Sequence, residues 1–436
     1  MKDLFSNSGK YVPSFFMMKI DSEHFGNDMT DKELSLFVHE YVHFLQSFTT
    51  IKGLEKLTSD YWMLRRMIEY IKEQGKQTVS VPINKDVLNE LTKNNELIDT
   101  IAWGESSSDS FVDEIQLKDV TIDTNTFDID GVRFMDTVIL TYIDAEGKDG
   151  LYSFGTRDLY EGMAYLIEQL ITKDYEHSPD CPYSTAKKVA EYYYSEFAKE
   201  PRNIIVLCDN ALMFSNPGVE YVRMLQYMKE VSFLPQSPED IYPFIELNWE
   251  VRDINKSIKI IDAFVEKVNE AREVLHDCLS NNIYFDSYHQ WVDFILDNAI
   301  YLRTVNPWFW LNIVNYGYIN DNTYFRTLLN MIGTPLVENK KHEYFSITTI
   351  KDIDVYCLSY FRVFYQIYSL LTEGRLMCNL LPWCSDSRCE TKPDKCCEYE
   401  PWKHCENKDL CPFVAIWNHW GLNGVQIQRN SIRRIV

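Results

Sequence analysis

The sequence predicts an α+β fold that is mainly helical, and three observations carry that expectation. Apolar residues recur at helical spacing from about residue 31 and again from Thr156 to about Leu371; the stretch from Val79 to Phe154 alternates with the strand period; and from residue 376 onward cysteine dominates. Three regions follow: a mixed α/β domain over residues 1–175 with a β-rich insertion, a mainly helical domain over 176–375, and a small Cys-rich segment over 376–436. At 436 residues, with 45% hydrophobic and 14% aromatic side chains, the chain can bury sizeable cores.

Taken in order, Lys10 to Ile20 has the pattern of one strand. Thr30-Asp31-Lys32-Glu33 has the form of a capping box, in which the Thr30 hydroxyl and the Glu33 carboxylate satisfy two backbone N–H groups, so a helix is predicted from about residue 31. The first strong breaker is Gly53, which carries this helix past Phe48. A second helix is predicted around Tyr61 to Glu73. In the strand-like block, Asp130-Gly131 and Glu146-Gly147-Lys148-Asp149-Gly150 read as turns, and Val132 to Ile143 as the clearest core strand. Gly155 to Glu168 then opens another amphipathic helix with Thr156 as N-cap. Further on, Asn255 to Leu279 is a long helical segment with one charged face.

Inside the first helix, residues 39–43 read His-Glu-Tyr-Val-His, an H-E-x-x-H sequence. Side chains four apart lie one turn above each other, so His39 and His43 can aim two imidazole nitrogens at one ion. Glu40 sits about 100° around the helix. From there its carboxylate reaches a water on the metal without ligating the metal, which is where a general base belongs.

Three protein groups plus water make the usual catalytic zinc sphere, and Glu161 is the candidate third ligand. Glu161-Gly162-Met163-Ala164 resembles the start of the E-G-x-A-x-Y segment of gluzincin-type zinc metallopeptidases, in which the Glu joins the two histidines of H-E-x-x-H. The resemblance implies a zincin-like fold for residues 1–175, with His39, His43 and Glu161 as zinc ligands and Glu40 as base. Leu166 stands at the family's Tyr position, with Tyr165 one place early, and the two segments lie farther apart than in those enzymes. Gly162, beside the ligand, is expected to let the two metal-bearing helices approach closely. A rival is Asp158, since Gly155-Thr156-Arg157-Asp158 resembles the G-T-x-D segment of aspzincins, where the Asp is the third ligand. In the first turn of a helix, however, an acid commonly just complements the dipole. These residues point to a zinc-dependent hydrolase, a metallopeptidase acting on a peptide or protein substrate.

Charge narrows the partners. Lys plus Arg is 43 and Asp plus Glu is 65, a formal net charge of −22. Neither nucleic acid nor an anionic membrane surface is the expected partner of such a surface. Met1 to Lys19 lacks a basic region followed by an apolar stretch, and no apolar run has membrane-crossing length, so the expected location is cytoplasmic. In that compartment clustered cysteines more often mean metal than disulfide.

Cys384, Cys389, Cys396, Cys397, Cys405 and Cys411 account for six of the eleven cysteines. A segment with so little apolar core needs an ion or cross-links to order it, and a second, structural zinc or other metal is the expectation. The spacings match neither zinc knuckles nor ferredoxin runs, which leaves redox chemistry, disulfides or unliganded thiols as alternatives. Other readings compete with the hydrolase. A non-catalytic zincin-like metal-binding or interaction protein would use the same ligands. A di-iron carboxylate oxidoreductase would pair Glu40 and His43 with the E-x-x-H at Glu273 and His276. Asp209 is a candidate to accept a hydrogen bond from the outer nitrogen of a ligand imidazole.

Overall fold

The computed structural model describes residues 4–5, 9–75, 78–84, 90–105, 111–127, 133–252, 257–279, 285–351, 353–378, 380–381, 384, 395–404 and 411–429. The chain opens with β1 (Leu4–Phe5), β2 (Gly9–Val12) and β3 (Met17–Ile20), followed by α1 (Asp31–Thr49) and α2 (Ile51–Glu73). Instead of the single predicted strand over Lys10 to Ile20, there are two antiparallel strands. Pro13 starts a 3-10 turn over Pro13–Phe15, and Phe16 takes a left-handed conformation (φ 44°) that reverses the chain.

Next come β4 (Thr78–Val81), α3 (Glu90–Trp103) and an antiparallel meander of β5 (Gln116–Phe127), β6 (Arg133–Ile143) and β7 (Asp149–Phe154). The β-rich insertion is therefore present, with a helix inside it that the alternating pattern did not announce. Its Glu146–Gly150 turn forms as expected, closed by the Asp144 and Gly147 backbone; Asp130-Gly131 lies outside the described residues. From Thr156 on, helices dominate: α4 (Thr156–Ile171), α5 (Asp180–Tyr183), α6 (Thr185–Ala198), α7 (Pro201–Ala211), α8 (Pro217–Glu230) and α9 (Ile241–Asn248). A small hairpin, β8 (Val251–Arg252) and β9 (Ser257–Ile258), leads to α10 (Ile260–Cys278), α11 (Asp286–Val305), α12 (Phe309–Asn315) and α13 (Thr323–Ile332). The chain then adds β10 (Leu336–Glu338), β11 (Tyr344–Phe345), α14 (Leu358–Glu373), short helices over Lys395–Tyr399 and Pro412–His419, and β12 (Gln426–Arg429). The fold is α+β and mainly helical.

Two pairings tie distant stretches together. β10 adds in parallel to β3, giving a five-stranded sheet of order β1-β2-β3-β10-β11, and β12 pairs in parallel with β4. Both join segments from different sequence regions, so the apolar core runs through residues from all three.

Helix α1 is the central element. Thr30 Oγ1 accepts from the Glu33 N–H at 3.2 Å and Glu33 Oε2 accepts from the Thr30 N–H at 2.8 Å, so the capping box fixes its first turn. Every residue from Phe37 to Thr49 is buried, so its polar side chains must find partners inside the protein. The helix ends at Thr49, short of Gly53, because Thr50 turns extended and caps α2 by accepting from the Gly53 N–H at 3.0 Å. Gly53 is a contact residue rather than a breaker. A Cβ there would stand 2.6 Å from the carbonyl oxygens of Gln46 and Ser47, so glycine lets α2 start flush against the end of α1.

Candidate metal centre

A polar stripe runs along α1, formed by Ser35, His39, His43 and Gln46 at successive turns, and it faces a matching stripe on α4 formed by Glu161, Glu168 and the adjoining Thr172. Three of these side chains converge. His39 Nε2 lies 3.2 Å from Glu161 Oε2 and 3.1 Å from His43 Nε2, and His43 Nε2 lies 3.5 Å from the same carboxylate oxygen. Ligands held at roughly 2.0–2.1 Å around a tetrahedral zinc ion are about 3.3 Å apart, so the three spacings describe one face of such a tetrahedron. Among the described residues this buried trio is the one group of three side chains placed to hold a metal ion.

The outer nitrogens are anchored. His39 Nδ1 sits 2.9 Å from Glu168 Oε2, and Glu168 in turn accepts from the Ser35 hydroxyl at 2.6 Å. His43 Nδ1 sits 2.8 Å from Gln46 Oε1, while Gln46 Nε2 donates to the Tyr160 carbonyl at 3.3 Å and so fixes the amide. With oxygen acceptors at both Nδ1 positions, each ring presents its Nε2 lone pair to the shared point. Burial disfavours charge on His39, yet hydrogen bonds to Glu161 and Glu168 more than offset it and raise its pKa well above the usual range. For Glu161, burial pushes the carboxyl up, but the rings of His43 and His39 hold it at about 2. Both shifts express a strong local demand for positive charge, which an ion meets. Glu161 Oε1 is also buried without a hydrogen-bond partner, a costly arrangement in a protein interior that a cation resolves.

Glu40 is fully buried on the neighbouring face of α1 and does not belong to the converging trio. It lies over β2, where a Cβ on Gly9 would stand 2.3 Å from Glu40 Oε1. Only glycine gives this carboxylate its place. Tyr183, at the end of α5, packs its ring 6.0 Å from that of His39. Burial, with the carboxylates of Glu161 and Glu40 adding to it, pushes its phenol pKa up. Tyr183 and His39 line a cavity of about 630 Å³ together with Leu36, Phe111 and Glu168, so it borders the trio at His39.

Several sequence expectations change. Asp158 is not a ligand: Oδ1 accepts from the Tyr152 hydroxyl at 2.8 Å and Oδ2 from the Gly155 N–H at 2.9 Å, and burial pushes its carboxyl up to about 7. Gly155, not Thr156, is the N-cap of α4; the Thr156 hydroxyl donates to the Ala102 carbonyl. Gly162 faces Tyr183 and Ala186 rather than α1, so it eases packing on α5 and α6 and not between α1 and α4. Asp209 does not touch a ligand imidazole. It forms a buried two-point ion pair with Arg303 and accepts from Trp310 Nε1 at 2.8 Å. Arg303 donates in turn to the Thr49 carbonyl, which stops the end of α1. Glu273 and His276 do not join His43, as a di-iron site requires; His276 bonds Asp293 on α11 and stacks on His289.

At the C-terminal end, Cys389 and Cys405 lie outside the described residues. Contact with Cys384 lowers the Cys411 thiol to about 6, with the charge of His404 also contributing. Cys396 and Cys397 lie on the Lys395–Tyr399 helix, and no described cysteine is in a disulfide. Among the described residues no third ligand atom joins the Cys384–Cys411 contact.

Glu168, Gln46, Tyr183 and Gly9 are site residues that sequence reasoning missed. Glu168 had a signal, since it follows Glu161 by two helical turns and so shares its face. No described helix is long and apolar enough to cross a membrane. Comparison with protein-family models, with curated proteins and with solved structures finds no match.

Proposed function

We propose that this chain is a zinc-dependent hydrolase, a peptidase of gluzincin type, with His39, His43 and Glu161 as ligands. The observation that carries the proposal is the tetrahedral spacing of three buried ligand atoms whose outer nitrogens are already anchored. Two imidazoles and a carboxylate are a donor set suited to zinc. When bound, the ion supplies Lewis acidity, polarising a scissile carbonyl and bringing the pKa of a bound water to about 7. Glu40 takes the proton of the attacking water and returns it to the departing amine. Glu168 and Gln46 keep the two rings in the ligating tautomer. Tyr183, which shares the cavity with His39, would donate to the oxygen on which negative charge develops. The cavity between α1, Phe111 and Tyr183 is where an extended peptide would enter.

Glu40→Gln is the test. It keeps one equivalent of zinc and lowers Glu40-dependent cleavage of a diverse peptide library by on the order of 10²–10⁴-fold, the usual contribution of a positioned proton carrier. The complete burial of Glu40 favours a second reading, in which the ion is structural and the chain an interaction module. Full zinc occupancy without any Glu40-dependent product would select it. A structural ion at the cysteine-rich end is a separate proposal, supported by the Cys384–Cys411 contact and the nearby His404.

A further inference from the structure

The proposed reaction requires Glu40 to meet a water molecule, and the fold keeps solvent away from it. Glu40 is fully buried, and the cavity beside His39 is not lined by Glu40, His43 or Glu161. What lies over the carboxylate is the start of β2. A Cβ on Gly9 would stand 2.3 Å from Glu40 Oε1 and 2.8 Å from Leu36 Cδ1, so bare backbone rests on both side chains. Leu36, one turn before Glu40 on α1, also lines the cavity. Gly9 therefore sits where the cavity wall meets the base.

This cover is one strand thick. Gly9 and Lys10 are partly exposed, whereas Tyr11 and Val12, which follow them in β2, are buried. Tyr11 is anchored, its hydroxyl 2.9 Å from Ser47 Oγ on α1. On the outer side of β2, β1 pairs opposite Tyr11 and Lys10 alone among the described residues. A strand end with little buried apolar surface opens at a far lower free energy than the whole fold.

We infer that Gly9 and Lys10 form a detachable cover, which lifts about Tyr11 to extend the cavity past Leu36 onto Glu40 and, in its resting place, keeps the site shut. The inference rests on the reading of Glu40 as the base, since only then does access to it govern turnover. It also gives the burial of Glu40 a cause other than a structural role.

A reversible lock tests it on the full chain. Lys10 and Lys19 are directly opposed across β2 and β3, and the pleat that aims Gly9 at α1 points both lysines away from it. Opposed residues of an antiparallel pair have Cβ atoms about 4.5–5.5 Å apart, so Lys10→Cys with Lys19→Cys brings two thiols within reach of a disulfide. Oxidised glutathione closes the lock and dithiothreitol opens it; the parent chain taken through both treatments is the control, and urea unfolding checks the fold. Access is read without activity, by labelling carboxylates with a water-soluble carbodiimide and glycinamide and mapping Glu40 by mass spectrometry. Closing the lock slows labelling of Glu40 about tenfold or more while exposed Glu146 is unaffected, and reduction restores it. In the parent chain the N–H groups of Gly9 and Lys10 exchange with deuterium about tenfold or more faster than those of Tyr41 to Phe48, a measurement that decides the matter if the double variant does not fold. Equal labelling of Glu40 in both states, no labelling in either, or exchange as slow as that of α1 would each overturn the cover. Peptide cleavage separates the two claims. Labelling that follows the lock without any Glu40-dependent product leaves the cover standing and removes the hydrolase, whereas Glu40-dependent cleavage that ignores the lock overturns the cover.

Discussion

Two stretches of this chain carry residue types that can ligate metals, and the structure treats them differently. Between α1 and α4, two histidines and a glutamate bring their ligand atoms within 3.1–3.5 Å of one another, and buried acceptors hold both outer nitrogens. At the cysteine-rich end, Cys384 and Cys411 touch and no third ligand atom joins them among the described residues. The difference lies in what converts sequence spacing into geometry. On α1, a capped and fully packed helix fixes where residues four apart must point. Cys396 and Cys397 sit on a five-residue helix and Cys411 caps another short one, where spacing alone dictates no direction.

The largest expected effect tests that contrast directly. His39→Ala, His43→Ala and Glu161→Ala each empty the motif site, since two remaining ligands do not make a zinc sphere. Cys384→Ser combined with Cys411→Ser leaves the motif-site ion in place and removes at most a second equivalent. Elemental analysis of the purified variants checks both halves. Retention of full occupancy by Glu161→Ala, or loss of the motif-site ion in the cysteine variant, would break the comparison. Asp158→Ala is expected to keep the metal while destabilising the start of α4, because its carboxylate serves Gly155 and Tyr152.

How much of this was legible in the sequence follows the same division. His39, Glu40 and His43 could be read because one helix period relates them, and the capping box at Thr30 and Glu33 announced where that helix starts. Glu161 was reachable through a short resemblance, and its helix was recognisable by its apolar spacing. What joins α1 to α4 is tertiary: no local pattern reports that Ser35 meets Glu168, or that Gly9 leaves room for Glu40. The same limit explains Asp209, whose partner Arg303 is on α11, and Gly53, whose role depends on the path of α2 against α1. Helix α3 was missed because it lies inside a block whose average period is that of strands.

A smaller effect sharpens the picture of a pre-organised site. Glu168→Gln keeps a side chain that can still accept from Ser35 but removes the negative charge beside His39 Nδ1. Loss of such an outer partner typically costs about 10–100-fold in metal affinity. Competition with a chromophoric chelator measures it. If the affinity is unchanged, the anchoring of His39 contributes nothing, and the convergence of the three ligands alone makes the site.

The smallest effect concerns the first turn of α1, where helix and site can be separated. Partial burial pushes the Glu33 carboxyl up, but hydrogen bonds from the Thr30 N–H, the Ser22 hydroxyl and the Glu23 N–H outweigh it and hold the group at about 2. A carboxyl depressed in the folded state contributes stability that is present above its unfolded value of roughly 4.3 and is lost as pH falls through the folded value. Because much of this side chain meets solvent, screening reduces the contribution to about 1 kcal/mol. Glu33→Gln should therefore be less stable than the parent by about 1 kcal/mol at neutral pH. The difference should shrink as pH is lowered from about 4.3 towards 2, where the parent's carboxylate is itself protonated. Urea unfolding of both proteins across that range gives the difference at each pH, and subtraction removes the general acid sensitivity of a chain with net charge −22. A pH-independent difference would mean that Glu33 acts through packing and not through its charge. Zinc content should be the same in both proteins, because the cap sets where α1 begins while the packed residues from Phe37 to Thr49 set where His39 and His43 point.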